Sequence, residues 1–278
     1  MIKPFKTPFF IALFTFILCI LSPYYISGTD IPNNTIFSHI LYVKKADFLE
    51  SFLFSFPYIG KAISGNRWFI ILLPLLSASP YLFRFSSELE TKFFRFALIR
   101  MSYAQYWVSS FMKNGFFGSF TVMLGYFMYI VVVIINFPSP NEYPNEMMIP
   151  LNSYLNRIFE TDNALLFLLS QALILFVFVF IVSEICLILY LILHNRYKAI
   201  GLPMIVFYLL DQVSISLFRV NNWDTRYDII SPVNLVFYTE NSFSSFGMDI
   251  YWYYLFAALT ISGLFVIGYI LCKRRYSE

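Results

Sequence analysis

Residues 164–193 read ALLFLLSQALILFVFVFIVSEICLILYLIL, 30 residues with a single charge, Glu184, and neither Gly nor Pro. A helix rises about 1.5 Å per residue, so about 20 apolar residues cross a hydrocarbon core about 30 Å thick. This stretch is long enough to span. With no water in the bilayer core, its backbone polar groups must bond within the segment, which makes it a helix. Outward from it, five further apolar segments qualify, at 8–26, 68–83, 111–137, 199–218 and 250–272. The expected fold is therefore an all-α integral membrane protein with six transmembrane helices, a single transmembrane domain over 1–278. The segment 68–83 is the shortest, and Pro74 and Pro80 are expected to kink it or end it early.

Composition agrees. Hydrophobic residues make up 59% of the chain and charged residues 13%, against about 25% charged in soluble domains. A net charge of +3 is too small to suggest nucleic acid. Cys19, Cys186 and Cys272 all lie in apolar runs, where they read as small hydrophobic residues rather than a disulfide framework. Lys3 and Lys6 before the first segment imitate a secretory signal, but Ser22-Pro23-Tyr24-Tyr25 follows in place of small cleavage-site residues, so a retained anchor is expected.

Basic residues decide the orientation. Lys3, Lys6, Arg84, Lys92, Arg95, Arg100, Lys113, Arg196, Lys198, Lys273, Arg274 and Arg275, most of the 19 in the chain, fall on one set of alternate loops and termini. The positive-inside bias places both termini, the 84–110 loop and the 194–198 turn in the cytoplasm. The outer side is then built from 27–67, 138–163 and 219–249, whose aromatics suit the membrane interface.

The cytoplasmic loop Ser86-Ser87-Glu88-Leu89-Glu90-Thr91-Lys92-Phe93-Phe94-Arg95-Phe96-Ala97-Leu98-Ile99-Arg100 has the pattern of a short amphipathic helix. Ser87 with Glu90 three residues later is a capping-box signature. Leu89, Phe93, Ala97 and Met101 recur every four residues with Phe94 and Leu98 beside them, while Glu88, Lys92 and Arg95 fill the remainder. Such a helix either rests on lipid headgroups or meets a partner.

This loop resembles that of ABC-2 type permeases, the membrane subunits of ATP-binding-cassette exporters. The resemblance rests on Glu88 or Glu90, a short helix, and Arg100-Met101-Ser102-Tyr103-Ala104-Gln105-Tyr106-Trp107-Val108-Ser109-Ser110 leading into the third span. It extends to Ile229-Ile230-Ser231-Pro232-Val233-Asn234-Leu235-Val236-Phe237-Tyr238 before the sixth. Where the family usually has Gly after the acidic residue, this chain has Thr91 and Lys92, and a Lys near the start of the third span appears only as Lys113. The resemblance implies that Glu88, Glu90, Phe93, Phe94, Ala97 and Arg100 form a helix coupled to a separate ATPase subunit, present in two copies. ATP and Mg would be bound by that partner and no cofactor by this chain. A second permease subunit, identical or paralogous, would complete a path for an amphiphilic substrate.

Two acids fall within spans. Glu184 lies 10 residues before His194 and Asp211 lies 13 after Lys198, about 15 Å and 20 Å from the cytoplasmic ends of their helices. Acids at such depth normally face protein, a cavity or a partner. Either they line a cationic substrate path or proton relay with Gln212, Gln171, Ser183, Ser214 and Ser216, or, protonated or hydrogen-bonded across helices, they hold spans four and five or two subunits together.

No phosphate loop, His-Glu-x-x-His zinc site or Gly-x-Ser-x-Gly elbow occurs, so enzymatic activity is not expected in this chain. His39 and His194 are the only histidines and no metal site is expected. Two alternatives stay open: a non-transport protein of the bacteriocin-immunity or peptide-binding type, and an ion-coupled carrier using Glu184 and Asp211. A composition rich in Ile, Phe, Asn and Lys suits a low-GC bacterium, with the plasma membrane as the location.

Overall fold

The computed structural model describes residues 6–21, 35, 37, 67–136, 164–220 and 250–277. Nearly all of the three long loops 27–67, 138–163 and 219–249, with His39 and the 229–238 stretch, lies outside the described residues. Seven helices are described: α1 Lys6–Ile20, α2 Arg67–Glu90, α3 Phe94–Arg100, α4 Tyr103–Asn136, α5 Ala164–Leu193, α6 Arg196–Val220 and α7 Ile250–Ser277, and no strand accompanies them among the described residues. Four carry stretches long and apolar enough to cross a membrane: Trp68–Glu90, Tyr103–Val132, Ala172–Leu193 and Tyr254–Arg274. α1 holds a shorter apolar helix, Pro8–Ile20. Four such helices mark a membrane protein.

α4 and α5 form the most extensive contact. α1 and α2 also pack on α4, α6 lies against α2 and α5, and α7 lies against α5 and α4. Pro74 and Pro80 neither break nor shorten α2, which continues through both to Glu90. Each proline removes one backbone N–H from the ladder, leaving the carbonyls of Ile70 and Leu76 without their helical donor, and hydroxyls bond other carbonyls of the same stretch. Ser77 Oγ donates to the Pro74 carbonyl at 3.4 Å, and Ser183 Oγ of α5 donates to the Ser77 carbonyl at 3.4 Å. Neighbouring helices and Ser side chains are what make proline tolerable in a spanning helix.

A buried cluster joins α2, α4, α5, α6 and α7, with Phe85, Leu89, Trp107, Phe111, Leu187 and Tyr190 among its members. Three aromatic side chains in and around it donate to backbone carbonyls across helices. Trp107 Nε1 donates to Phe265 O at 3.1 Å, Tyr103 OH to Tyr269 O at 3.2 Å and Tyr190 OH to Ser86 O at 3.3 Å. These bonds bring the end of α2, the start of α4, the end of α5 and the end of α7 to one end of the bundle. The α5–α6 turn joins them, with the Arg196 guanidinium 5.5 Å from the Phe83 ring centroid. Arg84, Lys92, Arg95, Arg100, Arg196, Lys198, Lys273 and Arg274 are thereby gathered at that end.

The expected helix start at Ser87 is corrected. Ser87 sits inside α2, where its carbonyl accepts both the Thr91 backbone N–H at 3.0 Å and the Thr91 hydroxyl at 2.7 Å. The buried positions Ala78, Tyr81, Leu82, Phe85 and Leu89 keep one helical stripe running to the end of α2, so Leu89 belongs to α2 and not to the surface helix. The same Ser-x-x-Glu/Gln pattern recurs at Ser102 and Gln105, and that copy caps α4, eight residues before the expected start of the third span at Phe111.

Candidate functional site

At the basic end, α2 stops at Glu90, and Lys92 adopts a left-handed conformation with φ of 56°. The chain then forms α3 over seven residues, about 10 Å of helix. Met101 is extended, with φ −143° and ψ 150°, and Ser102 caps α4. α3 is thus a short strut joining the end of one long helix to the start of the next. It has no buried residue and no side-chain cap at its start.

The expected apolar stripe divides into two faces. Phe94, Ala97 and Leu98 are partly buried against the core cluster. Phe93, Phe96 and Ile99 point away, 57%, 64% and 80% exposed, with the Phe93 and Phe96 rings 5.9 Å apart. Lys92, Arg95 and Arg100 are exposed around them. Of the expected coupling residues, Phe94 and Ala97 therefore anchor α3, and Phe93 and Arg100 are free at its surface. Glu88 and Glu90 lie on α2. Glu88 Oε1 accepts Arg84 Nε at 2.9 Å, an i,i+4 ion pair, and Glu90 is exposed. Phe96 and Ile99 were not singled out by periodicity, because the four-residue repeat through Leu89 started on the wrong helix.

The second region lies inside the bundle. Glu184 of α5 is fully buried, and its Oε1 accepts Asn114 Nδ2 of α4 at 3.2 Å. The same Nδ2 donates to the Ser183 carbonyl at 2.8 Å. The single Ser183 Oγ–H lies between the carbonyls of Asn114, at 3.2 Å, and Ser77, at 3.4 Å, and is shared by them. Gly118 lets α4 approach the Ser77 carbonyl so closely that a Cβ there would collide with it. α2, α4 and α5 meet through these polar groups at a depth of about 16 Å from the start of α4, eleven residues after Tyr103. Asn114 was missing from the sequence-based candidates; a lone Asn among apolar residues carries no sign of the partner it meets 70 positions away.

Asp211 is buried on α6 at 5% exposure, and Ser214, three residues on, is buried beside it on the same face. Gln212 is partly buried, and its backbone carbonyl accepts Ser216 Oγ at 2.9 Å. Glu184 hydrogen-bonds toward α4, not toward the Asp211 helix. The side chain of Gln171 lies outside the described residues. Among the described residues, no group of three or more His, Cys, Asp or Glu comes together as a metal site. Comparison with protein-family models, with curated proteins and with solved structures gives no match for this chain.

Proposed function

We propose that this chain is the permease subunit of an ATP-binding-cassette exporter of the ABC-2 type, with α3 as the element that engages a separate ATPase. The observation that carries this reading is the division of α3 into two faces. Phe94, Ala97 and Leu98 tie it to the bundle, while Phe93, Phe96 and Ile99 are held outward within a ring of Lys92, Arg95 and Arg100. A strut fixed on one face and apolar on the other transmits displacement from whatever grips it to the ends of α2 and α4. The cationic ring fits an apolar groove with an acidic rim.

In this reading α1 and α6 join the four long apolar helices to make six spans, with the basic end and both termini in the cytoplasm of a bacterial plasma membrane. ATP and Mg are bound by the ATPase, present in two copies, in a complex holding two permease subunits around the path of an amphiphilic cargo such as a peptide or lipid. The reading is supported by the gathering of basic side chains at the α3 end.

Affinity purification of the full chain from gently solubilised native membranes, with mass spectrometry of what accompanies it, tests the proposal. An ATPase carrying a phosphate loop is expected at a fixed ratio, and Phe93→Asp with Phe96→Asp is expected to release it while the bundle stays folded. A chain that purifies alone and remains active contradicts the reading and favours the carrier or immunity-type alternatives.

A further inference from the structure

Glu184 and Asn114 are both fully buried, and each leaves one oxygen without a hydrogen-bond partner: Oε2 of Glu184 and Oδ1 of Asn114. Their other halves are joined, Asn114 Nδ2 donating to Glu184 Oε1 at 3.2 Å. Both orphaned atoms are acceptors when the carboxyl is ionised. Exchanging the N and O of the Asn114 amide does not repair this, because it would set Oδ1 against the Ser183 carbonyl, which now accepts Nδ2 at 2.8 Å. Ser183 Oγ is committed to the carbonyls of Asn114 and Ser77. The Gly115 backbone N–H also faces the Glu184 carboxyl, but that amide does nothing for Oδ1. No cationic side chain among the described residues pairs with Glu184.

One atom supplies what is missing. We infer that Glu184 is held in the bundle as the neutral acid, its Oε2–H donating to Asn114 Oδ1 while Oε1 accepts Nδ2–H. The amide and the acid then form a two-bond clasp between α4 and α5, and the site binds a proton as its ligand. A neutral pair needs no counter-ion at a depth where a bare carboxylate is costly. The clasp does not depend on α3 engaging an ATPase.

Glutamine can reproduce both bonds, since its Nε2 donates where the acid O–H did; alanine and leucine cannot. The test is infrared spectroscopy at neutral pH on the full chain in lipid, uniformly labelled with ¹³C-glutamate, comparing the parent with Glu184→Gln, Glu184→Ala and Asn114→Leu. A ¹³C-shifted carboxylic-acid C=O band is expected in the parent. It should be absent from Glu184→Gln and shifted to higher frequency in Asn114→Leu, where its hydrogen bond is gone. Thermal unfolding should leave Glu184→Gln at the parent's midpoint and lower those of Glu184→Ala and Asn114→Leu. Loss of carboxylate bands rather than an acid band in Glu184→Gln would overturn the inference, showing an ionised group served by a bound water or cation. So would a Glu184→Gln midpoint as low as that of Glu184→Ala. Should the variants fail to fold, the labelled parent alone decides by the presence or absence of its acid band.

Discussion

Ser102 and Gln105 cap each other at the start of α4: Ser102 Oγ accepts the Gln105 backbone N–H at 3.3 Å, and Gln105 Oε1 accepts the Ser102 backbone N–H at 3.0 Å. This reciprocal pair satisfies two donors that the first turn of a helix leaves open. It also fixes where α3 must stop. Ser102→Ala is expected to cost about 0.5–2 kcal/mol. Ser87→Ala, at an exposed position within α2, should stay within about 0.5 kcal/mol of the parent. Denaturant titration of the two variants in detergent distinguishes the real cap from its sequence copy.

Lys92 holds a φ of 56° without being glycine. The left-handed region places Cβ too near the carbonyl that follows, at a cost of roughly 1–2 kcal/mol for an ordinary residue. Glycine is the favoured residue just past a helix C-terminus for this reason. Lys92→Gly is expected to raise stability by about 0.5–1 kcal/mol and Lys92→Val to lower it by at least as much. Unfolding midpoints of the pair check the sign.

Gly118 and Gly201 give opposite expectations for the same change. A Cβ at Gly118 would run into the Ser77 backbone carbonyl, which cannot swing aside as a side chain does, whereas nothing lies within 4 Å of one at Gly201. Gly118→Ala should cost about 1–3 kcal/mol by forcing α2 and α4 apart. Gly201→Ala should be neutral or stabilising by up to about 1 kcal/mol through helix propensity. Comparing thermal midpoints of the two purified variants tests the packing of α2 on α4.

Phe94 and Phe96 are two residues apart on α3 and face opposite surroundings. Phe94 packs on the core cluster and Phe96 is exposed. Phe94→Ala should loosen α3 and lower the unfolding midpoint, while Phe96→Ala should leave the midpoint unchanged and weaken only association with a partner. Unfolding and co-purification, measured on the same two variants, separate the roles.

Much of the helical architecture was legible in the sequence because long apolar runs leave the backbone one solution in a bilayer. The boundary of α2 was not. Leu89 continues the stripe of Tyr81, Leu82 and Phe85 and also stands four residues before Phe93, so periodicity alone fits two helices. A Ser-x-x-Glu/Gln signature occurs at both Ser87 and Ser102, and only the tertiary packing of Leu89 against the bundle decides between them. Glu184 stood out as a charge in an apolar run, but its partner did not. Finding Asn114 requires the register of α4 against α5, which is set by side chains meeting across the bundle and not by local pattern.

In the proposed reading the outward face of α3 is gripped by an ATPase. The most direct measurement places a photo-crosslinking amino acid at Phe96 in the full chain and illuminates intact membranes. A covalent adduct with an ATPase carrying a phosphate loop, absent when the crosslinker is moved to the exposed Phe256 on α7, is the expected result. Adducts with lipid alone at position 96 would contradict the account and leave α3 as a helix resting on the membrane surface.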